Sequence, residues 1–119
     1  MRTNGTFNAS LPEDNYYKYL IQIYGEGNVI RGYSDERYPF MCDFYIPSED
    51  LFIELNKSWT HGGHPFNKED LDDLFKLEEW EDKSKISDYY KNAIYTWTDL
   101  DPRKQLIAKA NNLNYKAIY

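Results

Sequence analysis

Two carboxylates, at positions 43 and 54, flank the polar turn of one short stretch of this chain, "CDFYIPSEDLFIELN", residues 42–56. Apolar residues alternate with polar ones on both sides of a polar turn, which predicts a β-hairpin. If Ile46 pairs with Leu51, Asp43 lies directly opposite Glu54. Like charges directly across a ladder are destabilising. A divalent cation between them would relieve the repulsion, because magnesium accepts one or two carboxylates together with water and substrate phosphates.

Such an ion lowers the pKa of bound water and neutralises the charge that builds up on a phosphodiester. Asn56 alternates with Glu54 on one face of the second strand and is predicted to lie beside the ion. Leu55 points its side chain into the core, but its carbonyl oxygen can serve as a ligand. The alternative interpretation is a solvated face on which the two acids splay apart.

Two histidines follow in the loop "KSWTHGGHPF". Because His61 and His64 are the only close pair of zinc-type ligands, a closed four-ligand zinc site is not expected. A single imidazole that acts as general acid or base, or contacts phosphate, is the first interpretation. A loop histidine hydrogen-bonded to the backbone is the second.

The elements that must position these residues begin with a helix in "SLPEDNYYKYLIQIYGEG". Ser10 is its predicted N-cap, and Glu13 three residues later completes a capping-box pattern. A short strand at 29–33 follows, and the hairpin strands are predicted at about 38–46 and 51–56. Glu13 is therefore a candidate capping acid.

The second half is predicted to alternate helices and strands. Asn67 should cap an amphipathic helix, residues 92–98 should form a strand, and "NYKAIY" should form another. Between these strands, Asp101 is the predicted N-cap of a helix that runs to about residue 112. The amphipathic helix has five predicted inward residues: Leu71, Leu74, Phe75, Leu77 and Trp80. The order of elements predicts an α/β domain with a mixed central sheet, antiparallel through the hairpin and flanked by helices.

Composition limits the function classes. At 119 residues one core is expected, and no run of 18 apolar residues is present to span a membrane. A single cysteine suits a reducing cytosol. The net charge of −6 does not exclude nucleic acid, because residues 68–88 hold nine acids and four lysines, a balance of −5.

The pattern D-x10-E-L-N on a hairpin, after a helix with an early Glu and before a Trp/His loop, resembles the PD-(D/E)xK nuclease superfamily. The similarity is to small domains related to very-short-patch repair endonucleases and to phage-borne, homing-endonuclease-like proteins. In such domains Glu13 matches the helix acid, Asp43 the metal-binding aspartate, and Glu54 the second acid. His61 or His64 matches a loop histidine. The usual lysine falls at position 56, where Asn56 can orient water or phosphate without a positive charge.

The resemblance implies a restriction-endonuclease-like domain over residues 10–119, after an N-terminal extension of residues 1–9. It implies a DNA endonuclease or nickase, a hydrolase that uses Mg²⁺ or Mn²⁺ to cut phosphodiester bonds. Asp43, Glu54 and the Leu55 carbonyl would hold the ion, and Glu13, Asn56 and His61 would complete the catalytic set. The expected compartment is the cytoplasm of a bacterial host, with the chain encoded by a phage. The abrupt start favours a short homologue or the C-terminal part of a longer DNA-binding protein.

DNA is the expected partner, a homodimer is compatible with the prediction, and no membrane association is expected. Predicted DNA contacts are the cations and the second loop histidine: Arg31, Arg37, Lys57, His64, Arg103 and Lys104. Two other functions stay open. One is a non-catalytic DNA- or protein-binding module of the same fold. The other is a DNA mimic or inhibitor that uses the acidic helix of residues 69–82.

Overall fold

The computed structural model describes residues 11–119. The predicted extension, residues 1–9, and the predicted N-cap Ser10 lie outside the described residues. The elements are, in chain order, α1 (Leu11–Tyr24), β1 (Ile30–Asp35), β2 (Tyr38–Ile46), β3 (Leu51–Leu55), α2 (Leu71–Ser84), α3 (Asp88–Tyr95), a π-helical segment (Thr96–Leu100), α4 (Asp101–Ala110) and β4 (Asn114–Ile118).

These elements form two compact units. The first unit contains the chain up to Leu55 together with Ala108–Ile118, and the second contains Asn56–Ile107 with Tyr119. The sheet and α1 therefore belong to the first unit, and α2 and α3 to the second. One domain over residues 10–119 stays a prediction.

The sheet of the first unit has four strands in the order β1-β2-β3-β4. The β1–β2 and β2–β3 pairs are antiparallel, and β4 pairs parallel with β3. This is a mixed sheet in an α/β arrangement, as the order of elements predicted. The antiparallel hairpin and the parallel final strand are both confirmed.

Apolar side chains cover both faces of this sheet. One cluster packs Leu20 of α1 and Val29 against Phe44, Ile46 and Ile53. The other cluster is built largely from aromatic rings and contains Tyr38, Cys42, Tyr45, Phe52 and Ala108. Because β2 and β3 are packed on both sides, a slip in their pairing would bring polar side chains into a core.

The turn between β2 and β3 fixes the register of the hairpin. Asp50 closes it in the left-handed conformation, with φ of 47°. The Asp50 carboxylate is held by Tyr45 Oη at 2.6 Å and by two nitrogens of Arg37 at 2.9 Å. These contacts hold an unfavourable backbone conformation in place.

The second unit is helical, and its core is a group of rings. Trp80 of α2, Ala93 of α3 and Trp97 of the π-helical segment are buried together. The predicted strand at 92–98 is therefore wrong, because Ala93 and Trp97 share a helical face at a spacing of four residues.

The buried face of α2 also differs from the prediction. Asp73 and Trp80 are buried, whereas Leu71 and Phe75 are 66% and 65% exposed and Leu74 is 39% exposed. The N-cap is Asp70, whose side chain accepts from the Asp72 N–H, and not Asn67. The helix thus presents apolar residues to solvent and buries a carboxylate.

The last helix begins without a break from the π-helical segment. Asp101 has helical angles, φ −61° and ψ −46°, so it is not the predicted N-cap. The helix ends at Ala110, about two residues earlier than predicted. Its end is closed by Asn112 at φ 57° and by a hydrogen bond from Leu113 N to Ala108 O at 2.9 Å. None of the described helices is long and apolar enough to cross a membrane.

Candidate functional site

The predicted hairpin register is confirmed. Ile46 pairs with Leu51 and Phe44 with Ile53, which brings the next residues along the ladder, Asp43 and Glu54, opposite each other. Both carboxylates lie in the first unit. They occupy adjacent strands of a sheet that is packed on both faces, so their separation is set by the backbone.

Main-chain donors hold these two carboxylates. Asp43 Oδ2 accepts from Leu55 N at 2.7 Å, and Glu54 Oε1 accepts from Asp43 N at 3.3 Å. Tyr38 Oη donates to Glu54 Oε2. Glu54 is 2% exposed. The two acids therefore face each other inside a hydrogen-bonded network and do not splay apart into solvent.

The electrostatics of the pair favour the loss of one negative charge. Burial raises the pKa of Asp43 to about 6, and the charges of Glu54 and Glu13 and a hydrogen bond with the Glu54 side chain act in the same direction. The Leu55 N–H bond opposes this rise. A proton or a cation is thus favoured between the two carboxyl groups. Because both donors are carboxylate oxygens, the pair suits Mg²⁺ or Mn²⁺.

Glu13 contributes to this electrostatic field but has a partner of its own. Arg31 on β1 donates to Glu13 Oε2 from Nε at 3.2 Å and from Nη2 at 2.5 Å. Arg31 also lies 2.8 Å from Asp14. Direct ligation of an ion by Glu13 stays a prediction, as does ligation by the Leu55 carbonyl.

Most of the predicted DNA-contacting cations have partners within their own units. Arg31 binds the two acids of α1, and Arg37 binds Asp35 and Asp50. In the second unit, Arg103 binds Asp99 and Lys57 donates to the Tyr119 main-chain oxygen at 3.3 Å. Lys104 also makes a contact. Phosphate binding would require these side chains to exchange partners.

In the second unit, His61 pairs with Asp101. His61 Nδ1 lies 2.6 Å from Asp101 Oδ2, and Asp101 is 3% exposed. The other imidazole nitrogen, Nε2, has no hydrogen-bond partner among residues 11–119. A carboxylate on Nδ1 fixes the orientation of the ring and leaves Nε2 for proton transfer.

Asp101 also carries an unmatched oxygen. Its Oδ1 is buried and has no hydrogen-bond partner within the described part of the chain. Tyr119 is close enough to feel the carboxylate: its own burial raises the pKa of Tyr119, and the charge of Asp101 raises it further. The Asn56 side chain and Gln105 are both hydrogen-bonded to Tyr119 and act in the opposite direction. His61 directly, and Asn56 through Tyr119, are thus linked to the buried Asp101 carboxylate.

His64 has an aspartate partner as well. His64 Nε2 lies 2.7 Å from Asp73 Oδ1, and the Asn67 N–H occupies Asp73 Oδ2 at 2.9 Å. His64, Asp70 and Asp73 form the only cluster of three or more His, Cys, Asp or Glu groups found in residues 11–119 that could hold a metal ion. A nucleic-acid contact by His64 stays a prediction.

Tyr38, Asp73 and Asp101 were not singled out as site residues from the sequence. Asp101 lies 40 positions from its histidine, and Tyr38 lies 16 positions from Glu54. No local pattern links residues so far apart. Asp101 was instead interpreted as a helix cap, because Asp before Pro is typical of a helix start.

Searches against protein-family models, curated proteins and solved structures found no match for this chain. The chemistry of the described side chains therefore carries the functional argument.

Proposed function

We propose that this chain is a divalent-metal-dependent endonuclease or nickase that hydrolyses phosphodiester bonds in DNA. The observation that carries the proposal is the Asp43–Glu54 pair, two carboxylates held opposite each other by main-chain and phenol donors. Folding two like charges together is unfavourable unless a proton or a cation is shared. DNA as the substrate rests on the resemblance of the hairpin and loop residues to the PD-(D/E)xK nucleases.

When bound, Mg²⁺ or Mn²⁺ would supply an activated water and neutralise the charge on the phosphate. Asp43 and Glu54 would hold the ion, each through one carboxylate oxygen. Since the main-chain bonds fix both side chains before the ion arrives, little conformational entropy is lost on binding. Such preorganisation is what an ion site needs to position a reacting group.

His61 is the proposed proton-transfer residue of the second unit. With Nδ1 against Asp101, Nε2 is oriented to donate a proton to a substrate oxygen. Asp101 would act as a positioning residue that holds the ring and stabilises its protonated form. General acid–base catalysis of this kind typically contributes about 10²- to 10⁴-fold in rate.

Asn56 takes the place of the lysine expected in such nucleases. It is 6% exposed and bonded to Tyr119, so its amide is held in one orientation. An amide can orient a water molecule or a phosphate oxygen. The proposal therefore assigns all activation of the water to the ion.

One observation favours the second candidate, a non-catalytic DNA- or protein-binding module. Arg31, Arg37 and Arg103 are all paired with acids of the same unit. Together with the missing lysine, this pairing would suit a domain that no longer cuts. Binding of DNA without cleavage is its distinguishing property.

Nicking of supercoiled plasmid in Mg²⁺ and Mn²⁺, with EDTA as control, tests the proposal. Wild-type protein is expected to nick, and Asp43→Ala and Glu54→Ala are each expected to remove detectable nicking, because one remaining carboxylate holds the ion poorly. Asp88→Asn is the matched control, since that carboxylate is 90% exposed. Plasmid that stays intact in Mn²⁺ while the protein binds it would favour the non-catalytic module.

A further inference from the structure

Helix α2 of the second unit presents apolar side chains to solvent. Leu71 and Phe75 are 66% and 65% exposed, and Leu74 is 39% exposed. Residues three and four positions apart are neighbours on one face of a helix. The three side chains therefore form one continuous apolar ridge at the start of α2, and we call them the α2 ridge.

The opposite face of α2 is anchored in its own unit, so the ridge cannot turn inward. Trp80 is buried in the ring cluster with Ala93 and Trp97. Asp73 is 1% exposed and accepts from the Asn67 N–H at 2.9 Å. A rotation of the helix that buried the ridge would break this bond and bring the Trp80 ring into solvent. The ridge is thus a fixed feature of the surface.

Acidic side chains continue the face on which the ridge lies. Glu78 follows Leu71 by seven residues, which is two turns of helix, and Glu81 lies beside it. Neither acid has a cation partner among residues 11–119. Residues 68–88 together hold nine acids and four lysines, a balance of −5. An apolar contact made by the ridge therefore has a negative border.

The shape and the charge of this face define what can cover it. Apolar anchors at positions i, i+3 and i+4 of a helix fit an apolar groove on another protein. The negative border favours a groove edged with positive charge and disfavours one edged with acids. It also disfavours nucleic acid and anionic membrane surfaces. A second copy of this chain would bring the same acids and is disfavoured for the same reason.

We propose that the α2 ridge is a docking surface for a protein whose apolar groove is bordered by lysine or arginine. The inference does not depend on DNA cleavage or on an ion at Asp43 and Glu54. Its failure would therefore leave the proposed nuclease intact.

The probe is a fluorescein-labelled helical peptide of leucine and lysine, with leucines at the spacing of the ridge and lysines elsewhere. Fluorescence anisotropy gives its affinity for the full chain. Phe75→Ala should weaken binding about tenfold or more, because a few large apolar anchors carry most of the energy of such contacts. A peptide with glutamate in place of each lysine should bind at least about tenfold more weakly than the lysine peptide.

Leu106→Ala is the matched control for Leu71→Ala. Leu106 lies on α4 and is 67% exposed, so both variants remove an equally exposed leucine from a helix. Alanine keeps the helix propensity at both positions. Leu71→Ala should weaken binding of the lysine peptide, and Leu106→Ala should retain the wild-type affinity. Equal affinities of these two variants would overturn the inference.

Three other results would also overturn it. One is equal affinity for the lysine and glutamate peptides, and another is a wild-type chain that binds neither. The third comes from sedimentation equilibrium, in which wild type is expected to be a monomer. A dimer that Phe75→Ala dissociates would show that the ridge is covered by a second copy.

Discussion

Replacement of Asp43 by Asn should stabilise the ion-free protein at high pH and not at low pH. The pKa of Asp43 is raised from 3.8 to about 6, which at about 1.36 kcal/mol per pKa unit corresponds to about 3 kcal/mol. Because the pKa is raised, the protonated carboxyl favours the folded state. This contribution is complete below the unfolded-state pKa and is lost as the pH rises through about 6. Asparagine keeps the shape of the side chain and removes the charge.

The assay is urea unfolding in EDTA at pH 4, 6 and 8. The free energy of unfolding of Asp43→Asn minus that of wild type should be about 2 kcal/mol larger at pH 8 than at pH 4, because the unfolded carboxyl is already partly ionised at pH 4. Added Mg²⁺ should stabilise wild type by about 2.7 kcal/mol at 100 times its dissociation constant, and the variant hardly at all. Asp88→Asn, an exposed control, should show no pH-dependent difference from wild type and should keep the full stabilisation by Mg²⁺. A difference that does not change with pH would refute the electrostatic account of the pair.

Two further predictions concern the second unit. Asp101→Asn should slow DNA cleavage by about 10²-fold or more while leaving Mn²⁺ affinity unchanged, since Asp101 acts through His61. Asp99→Asn is the control, because the Asp99 carboxylate is exposed. Equal cleavage rates for the two variants would contradict the positioning role of Asp101. Gly62→Ala should cost about 3 kcal/mol in urea unfolding, because its Cβ would lie 2.2 Å from the Trp97 ring at φ +73°. Gly63→Ala, with φ +84° and open space around it, should cost only about 1–2 kcal/mol, and equal losses would show that the Trp97 contact does not matter.

The hairpin could be predicted from the sequence because its signal is local. Alternating apolar residues on both strands allow one register, since a slip of one residue would move Phe44 or Ile53 away from its packing partners and bring polar side chains into a core. That register alone brings Asp43 and Glu54 together. The candidate ion site of the first unit could therefore be predicted from a single short segment of the chain.

The segment at 92–98 was misread because two periods coincide there. Ala93 and Trp97 are four residues apart, which places them on one face of a strand and also on one face of a helix. Both periods therefore predict that they are buried together. Tyr95 separates the two cases: a strand would bury it with its neighbours, and it is 46% exposed. Aromatic and β-branched residues added a strand preference that tertiary packing overrode.

The inward face of α2 could not be recognised from hydropathy, because charged residues lie on it. The face that is buried includes Asp73, and Lys76 lies on the same side, with its ammonium bonded to Gly62 O and placed 5.5 Å from the Trp97 ring centre. Hydropathy counts both residues as exposed. Their partners lie outside the helix, so no pattern within α2 could reveal them. The aspartate partners of both histidines escaped prediction for the same reason.

The most direct test of the ion site is anomalous diffraction from crystals grown with Mn²⁺. A manganese peak is predicted between the Asp43 and Glu54 carboxylates, with metal–oxygen distances of about 2.1 Å, the value for a small octahedral cation. The Asp43→Asn crystal should lose it. A peak found only at His64, Asp70 and Asp73, or no peak at the hairpin at saturating Mn²⁺, would contradict the account.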